Sequence, residues 1–184
     1  MTFIEALNSQ DLEKIRKFPK ADLHNHFVLG GSREYIFNKT GYKIKSITTP
    51  LKSMGEMDSW SSKYIGNHFN SPEGRLLLIE ATFAQAKFDG VTELEIGEDV
   101  WGLGEFFDND IEKMIFCFQE ANARIAPEIE LRLQIGLSRH CSVDYLMNCL
   151  SHFWGHKEFY SIDLYGDELA QSIANFISIY DKAA

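Results

Sequence analysis

Short strand-like runs alternate with helix-length amphipathic segments along most of this chain. The strand-like runs lie at 20–26, 91–97, 130–137 and 159–164. The helical patterns lie at about 33–39, 73–89, 108–125, 143–153 and 168–180. Parallel strands joined by right-handed helical crossovers produce this order, so the sequence predicts an α/β architecture.

Two further segments fit into the same single domain, 1–184. Ser9 is placed to cap an N-terminal helix that runs to Phe18, where Pro19 ends it. The irregular segment 41–74 is rich in Ser, Thr, Gly and Asn but also carries large apolar residues such as Trp60 and Phe69. A long loop of this kind predicts either a lid-like insertion or a small satellite core.

Charge and cysteine content exclude several classes of protein. A formal net charge of −9 argues against a nucleic-acid partner and against an anionic membrane surface. The first residues contain no apolar stretch typical of a secretory signal, and no apolar run approaches the length of a membrane span. Cys117, Cys141 and Cys149 form no CxxC pair, which favours a reducing, cytoplasmic location.

Two histidines stand one residue apart at the end of the first predicted strand. Alternate residues of a strand point to the same face, so His24 and His26 project together. Imidazoles are common ligands of Zn²⁺, and metal ligands of α/β barrels lie at the carboxyl ends of strands. Asp22 is also an alternate residue of this strand, so it is expected on the same face. It would serve either as a charge near the metal or as a structural residue. The alternative to a metal site is an exposed polar pair.

Polar residues also follow the third and fourth predicted strands. Arg139 and His140 either face a polar group in a site or form an ordinary strand-end turn. Gly166 allows a backbone amide to come close to a ligand. Asp167 and Glu168 suit the first turn of a helix, and the local sequence favours capping by Asp167.

Taken in order, three of these segments resemble the adenosine deaminase family of the metal-dependent amidohydrolases. PKADLHNH resembles the family's first strand, which ends in a zinc-binding His-x-His. LRLQIGLSRH resembles its third-strand segment, and IDLYGDE resembles its fourth-strand Asp-Leu-x-Gly-Asp-Glu motif. The resemblance extends over almost the whole chain and includes a segment over the substrate pocket at the position of 41–74.

The resemblance implies the N-terminal half of a (β/α)₈ TIM-type barrel, with about four β-α units, an N-terminal helix and a lid-like insertion. It also implies a hydrolase that acts on C–N bonds of cyclic amidines and removes the exocyclic amine of adenosine or another aminopurine with metal-activated water. By position, His24 and His26 would be ligands of one Zn²⁺, and the backbone of Gly166 would contact the base.

Two departures from the family limit this expectation. Val28 stands where nucleoside-binding members carry an aspartate that meets the ribose, so the identity of the substrate stays open. The family's other zinc ligands and its acid–base residues belong to later segments, and a complete (β/α)₈ barrel takes at least about 200 residues. No catalytic residue is therefore assigned, and the chain by itself is expected to be inactive.

Half of a barrel is expected to leave two sheet edges and an apolar inner face exposed. Self-association, or a second chain that supplies the remaining units, would cover them. The alternative function is therefore a non-catalytic half-barrel module that acts through such association. A small, complete α/β binding protein that shares only local motifs is a further alternative.

Overall fold

A computed structural model describes residues 2–184 of the chain. Its centre is a parallel sheet with the strands in the order β1-β2-β3-β4. The strands are β1 (Lys20–His26), β2 (Val91–Asp99), β3 (Glu130–Ser138) and β4 (Phe159–Tyr165). Each lies where the sequence predicts a strand. The predicted partial barrel is confirmed, because these strands curl into a half-barrel flanked by helices.

Helices connect the strands and cover one face of the sheet. They are α1 (Phe3–Asn8), α2 (Leu12–Arg16), α3 (Phe27–Gly30), α4 (Arg33–Thr40), α5 (Met54–Ser61), α6 (Asn67–Phe69), α7 (Pro72–Asp89), α8 (Gly102–Phe106), α9 (Ile111–Ile125), α10 (Val143–Leu150) and α11 (Ile177–Ala183). Across residues 2–184, none of the helices is both long enough and apolar enough to cross a membrane. The cytoplasmic location stays a prediction.

The predicted helix from Ser9 to Phe18 is shorter than expected, and its predicted cap is wrong. Gln10 has a φ of 53°, a left-handed conformation outside any helix, and it lies between α1 and α2. Asp11, rather than Ser9, caps α2, and its carboxylate accepts hydrogen bonds from the backbone of Glu13 and Lys14 at 3.1 and 3.2 Å. The predicted helix therefore begins at Leu12, and α1 is a separate short helix that is not among the predicted ones.

The predicted helix at 168–180 is also shorter than expected. A 3₁₀ turn at Ile173–Phe176 leads into α11, and residues 166–172 form a loop. Asp167 caps no helix, since its carboxylate accepts a hydrogen bond from the backbone of Leu169 at 2.9 Å inside this loop. The Gln171 amide holds the loop against the end of β3 by donating to the carbonyl oxygens of Arg139 and Cys141, at 2.6 and 2.8 Å.

The hydrophobic core lies between the sheet and the helices. Leu94 and Ile96 of β2 and Leu133 and Ile135 of β3 are almost fully buried on this face. Phe83 of α7 packs in the same core, and helices α7 and α9 lie side by side across the sheet. Burial of these side chains is the main stabilising contribution to the fold.

The opposite, inner face of the sheet is polar, which corrects the expectation of an apolar one. Gln134 donates hydrogen bonds to Ser161 at 2.9 Å and to Glu95 at 3.4 Å, and Ser161 donates to Glu95 at 2.8 Å. Glu95 and Gln134 are buried although they face away from the helices. Mutual hydrogen bonding replaces the aliphatic packing expected inside a barrel. An inner face of this kind does not favour self-association through apolar contacts.

The segment 41–74, predicted as a lid-like insertion, contains α5, a π-helical turn at Ser62–Gly66 and α6. Tyr42 stacks on His68 with ring centroids 3.9 Å apart, and Ile65 and Phe69 are buried. At its end, Ser71 caps α7 by accepting a hydrogen bond from the backbone of Gly74 at 3.1 Å. The segment is ordered and packed, and its role as a lid stays a prediction.

Candidate metal centre

The two histidines of β1 converge at the carboxyl end of the sheet. Their Nε2 atoms are 3.0 Å apart, and both rings lie on the inner side of the half-barrel. A bulge between Asp22 and Asn25 interrupts the regular pairing of β1 with β2. The bulge places Asp22 opposite Leu94, where its carboxylate accepts a hydrogen bond from Asn25 at 2.7 Å. Asp22 therefore has a structural role and does not join the histidines.

Asp163 completes the cluster from β4, the strand at the opposite edge of the sheet. Its Oδ2 atom is 3.0 Å from Nε2 of His24 and 3.1 Å from Nε2 of His26. In a flat sheet, three strand spacings would separate β1 from β4 by about 14 Å. The contact therefore exists because the sheet curls, and it joins residues that are 139 positions apart in the sequence.

Asp163 is not among the residues that the sequence predicts for the site, although it belongs to the segment IDLYGDE. A signal is present in the sequence, because a single carboxylate near the end of the apolar run FYSIDLY is unusual for a buried strand. Its side chain is only 12% exposed. A carboxylate that is buried to this extent requires a partner, and the histidines of β1 provide one.

Mutual interaction shifts the pKa values within the cluster. The hydrogen bond to Asp163 raises the pKa of His26, against the opposing effect of burial. Burial acts to raise the pKa of Asp163, but the hydrogen bonds and charges of His26 and His24 outweigh it and lower that pKa. In the metal-free protein, an ionised Asp163 therefore favours a protonated His26.

We expect this pair to stabilise the metal-free protein only in a window of pH. Asp163 has a lowered pKa, so its contribution to stability is present above pH 3.8, its ordinary value, and is lost as pH falls through the lowered pKa. His26 has a raised pKa, so its contribution is present below pH 6.5, its ordinary value, and is lost as pH rises through the raised pKa. Asp163→Asn should therefore lower the denaturation midpoint most near pH 5–6, with chelator present. An equal effect at pH 5.5 and pH 9 would contradict this assignment.

The cluster has the geometry and the atom types of a zinc site. Ligand atoms about 2.0–2.1 Å from a tetrahedral zinc lie about 3.3 Å from one another. The three separations here are 3.0, 3.0 and 3.1 Å, and the atoms are two imidazole nitrogens and one carboxylate oxygen. The side chains of His24 and His26 are 56% and 39% exposed, so the open side of the triangle is accessible. The residues present fit a metal with three protein ligands and one free position.

Gly166 lies directly after β4, three residues beyond Asp163. Its φ is 105°, a conformation that other residues rarely adopt, and a side chain there would start 3.3 Å from Cδ2 of His140. Arg139 and His140 both contact this turn, since the backbone of Arg139 donates to the Tyr165 carbonyl at 2.9 Å. The structure thus explains the glycine by conformation and close approach, and its contact with a substrate stays a prediction.

A buried ion pair lies behind the end of β2. Arg75 of α7 donates from Nε to Oε2 of Glu98 at 3.0 Å, and a second contact joins Nη2 to Oε1. Both side chains are almost fully buried, at 7% and 1% exposure. The guanidinium also lies over the rings of Phe27 and Phe106, at 4.6 and 4.5 Å. Because Phe27 directly follows His26, this pair supports the end of β1 as well as β2.

A curated protein resembles the chain in sequence over most of its length. No family model matches the sequence. A curated putative adenosine/adenine deaminase of Treponema pallidum is 23% identical over 174 residues. The match covers 95% of this chain but only 58% of that relative. The chain therefore spans little more than half of the curated protein.

Solved structures show the same fold. A zinc-bound amidohydrolase from Burkholderia ambifaria matches with a TM-score of 0.65 and 14% identity, covering 91% of this chain and 49% of that one. The adenine deaminase of Arthrobacter aurescens gives 0.64 and 16%, covering 89% and 53%. The N6-methyl-AMP deaminase of Arabidopsis thaliana gives 0.66 and 15%, covering 94% and 56%. Over the roughly half of these proteins that it spans, the chain is similar to the adenosine deaminase family within the amidohydrolase fold, as its motifs predict.

Proposed function

We propose that this chain forms part of the active site of a zinc-dependent aminopurine deaminase. The observation that carries the proposal is the convergence of His24, His26 and Asp163 at the carboxyl end of the sheet. In parallel α/β barrels this end carries the active site. The names of the similar proteins, which include adenine and adenosine/adenine deaminases, support the same reaction class.

In this proposal His24, His26 and Asp163 hold one Zn²⁺, which when bound supplies a Lewis acid and an activated water for hydrolysis of the exocyclic amine. The chain's own residues prepare the site. Asp163 brings a negative charge that offsets part of the charge of the metal, and neutral imidazoles provide the two nitrogen ligands. The zinc in the Burkholderia structure supports this choice of metal.

The identity of residue 28 favours a free aminopurine base over a nucleoside. Val28 lies two residues after His26, where the resemblance places an aspartate that meets the ribose. In the structure it lines a mainly apolar cavity of about 200 Å³ together with Ile36, Trp60 and Leu78, which the metal cluster does not line. A valine offers no acceptor for the ribose hydroxyl groups that an aspartate at this position would meet. We therefore propose adenine or a related aminopurine as the substrate.

Gly166 is proposed to contact the base through its backbone. It follows the end of β4, three residues after Asp163. It has no side chain to cover its backbone, and its φ is 105°. A backbone group presented in this way can hydrogen-bond a ring nitrogen without the entropy cost of ordering a side chain.

Further strands are proposed to complete the pocket. Within residues 2–184, β1 and β4 each have a strand neighbour on one side only. Unpaired strand edges bind additional strands readily. We propose that strands from the same polypeptide or from a second chain, including a second copy of this one, pair with these edges and supply the remaining groups. The non-catalytic half-barrel stays the alternative function.

The test is hydrolysis of adenine by the assembly of this chain with the strands proposed to complete its pocket, with ammonia release as the measurement. We expect turnover of adenine that requires zinc, is lost in Asp163→Ala, and exceeds turnover of adenosine. A protein that binds zinc at this cluster yet deaminates no aminopurine would contradict the proposed reaction. Faster turnover of adenosine than of adenine would contradict the role given to Val28.

A further inference from the structure

Tyr165 packs edge-on against the imidazole of His26. The two ring centroids are 5.1 Å apart, and the ring planes meet at 80°. Within the described residues, the polar contacts of His26 all use Nε2, with His24 and Asp163 as partners. Hydrogen bonds at a single ring atom leave the imidazole free to tilt about that atom. Ring packing restricts this tilt, and it comes from His24 and Tyr165, whose ring centroids lie 4.9 and 5.1 Å from that of His26.

Gly136 of β3 makes room for Tyr165 in this position. Gly136 is paired with Asp99 on one side and with Asp163 on the other. A side chain at Gly136 would begin 2.4 Å from Oδ1 of Asp99 and 3.3 Å from Cε1 of Tyr165. The absence of a side chain lets the Asp99 carboxylate and the tyrosine ring share the space above β3. This glycine is explained by close approach.

Two polar side chains lie near the hydroxyl group of Tyr165. They are the Asp99 carboxylate, to which the hydroxyl group can donate, and the Trp101 indole, from which it can accept. Asp99 is half-buried, so its carboxylate requires such a donor. A ring that packs on one neighbour and is anchored at its hydroxyl has little freedom to rotate away.

We propose that Tyr165, anchored by Asp99 and admitted by Gly136, is a positioning residue that fixes the orientation of the His26 imidazole. The inference rests on the proposed function only in giving His26 a metal to hold. Residues that orient a metal-binding histidine commonly change metal affinity by about 10- to 100-fold when they are replaced. The Asp-Leu-x-Gly-Asp-Glu motif leaves the position of Tyr165 unspecified, so its identity is a property of this chain.

The test compares Tyr165→Leu, which removes the ring, with Tyr165→Phe, which keeps it. Tyr160→Leu is the matched control, since Tyr160 lies on the same strand but is exposed. We expect Tyr165→Leu to weaken zinc binding at least tenfold and to change the visible spectrum of the Co²⁺-substituted site. Tyr160→Leu should stay within about threefold of the parent protein. Tyr165→Phe keeps the ring but loses the hydroxyl group, so it should bind zinc more weakly than the parent and more tightly than Tyr165→Leu. Equal zinc affinity in Tyr165→Leu and the parent would overturn the proposal.

A measurement without metal separates this inference from the proposed function. In the metal-free protein, we expect nuclear Overhauser contacts between the rings of His24 and His26 to be lost in Tyr165→Leu and kept in Tyr165→Phe. Unchanged contacts in Tyr165→Leu would refute the positioning role whether or not zinc binds. A parent protein that binds no zinc but shows the expected loss would refute only the proposed function.

A second pair of variants covers the case in which Tyr165→Leu does not fold. Asp99→Asn and Asp99→Ala both remove the charge, but only asparagine can still accept the hydrogen bond from the tyrosine hydroxyl. We expect zinc to bind more weakly to Asp99→Ala than to Asp99→Asn, and the ring contacts between His24 and His26 to weaken in the same order. Identical behaviour of the two variants would contradict an anchored Tyr165.

Discussion

Replacing Arg75 by alanine is expected to lower the free energy of unfolding by about 3–5 kcal/mol. The substitution leaves Glu98 buried at 1% exposure without its partner, and a lone buried carboxylate is costly. It also removes the guanidinium that packs on Phe27 and Phe106. Chemical denaturation near pH 8, with the midpoint and slope both fitted, measures this change.

An exposed ion pair provides the control for this prediction. Lys113 contacts Asp108 at 2.6 Å, but their side chains are 48% and 86% exposed. Solvent screens such a pair, so Lys113→Ala should move the denaturation midpoint only slightly. Similar small changes in Arg75→Ala and Lys113→Ala would show that the buried pair does not hold α7 to the end of β2.

The effect of Arg75→Ala should also depend on pH. Burial raises the pKa of Glu98 from 4.5 to about 7, although the charge of Arg75 opposes the rise. Because the folded-state value is the higher one, the contribution of Glu98 to stability is fully present below about 4.5 and is lost as pH rises through 7. Without Arg75 the pKa of Glu98 rises further. The difference between the parent and Arg75→Ala should therefore be smaller at pH 5 than at pH 8, and a larger difference at pH 5 would contradict this.

The part of the site that is local in sequence could be predicted. His24 and His26 are alternate residues of one strand, so their common face follows from strand geometry alone. The contribution of Asp163 depends on the curl of a sheet whose edges are 139 residues apart, and no local pattern encodes that distance. The bulge that turns Asp22 away from the histidines is likewise set by pairing with β2.

The polar inner face was predictable from the sequence, although the opposite was expected. Strands buried on both faces read as continuous apolar runs. The β2 and β3 segments instead alternate, with Glu95 and Gln134 between aliphatic residues. The interiors of barrels are usually apolar, which led to the expectation of an apolar face. The two-residue alternation in β2 and β3 instead predicts a polar inner face whose groups hydrogen-bond to one another.

Loss of any one member of the metal cluster is expected to weaken zinc binding by at least about 100-fold. A zinc site with three protein ligands that loses one falls below the number normally needed. The ligand atoms of His24, His26 and Asp163 lie within 3.1 Å of one another, and each substitution removes one of them and leaves the other two in place. His140→Ala is the matched control, since His140 packs against Gly166 instead.

Isothermal titration of the metal-free protein with zinc tests whether His24, His26 and Asp163 form the metal centre. We expect one zinc per chain in the parent and in His140→Ala. In His24→Ala, His26→Ala and Asp163→Ala we expect zinc binding to be weakened by at least about 100-fold. If the single variants Asp163→Ala and His26→Ala both bound zinc as tightly as the parent, the metal would lie elsewhere. That result would contradict the assignment of this cluster as the metal centre.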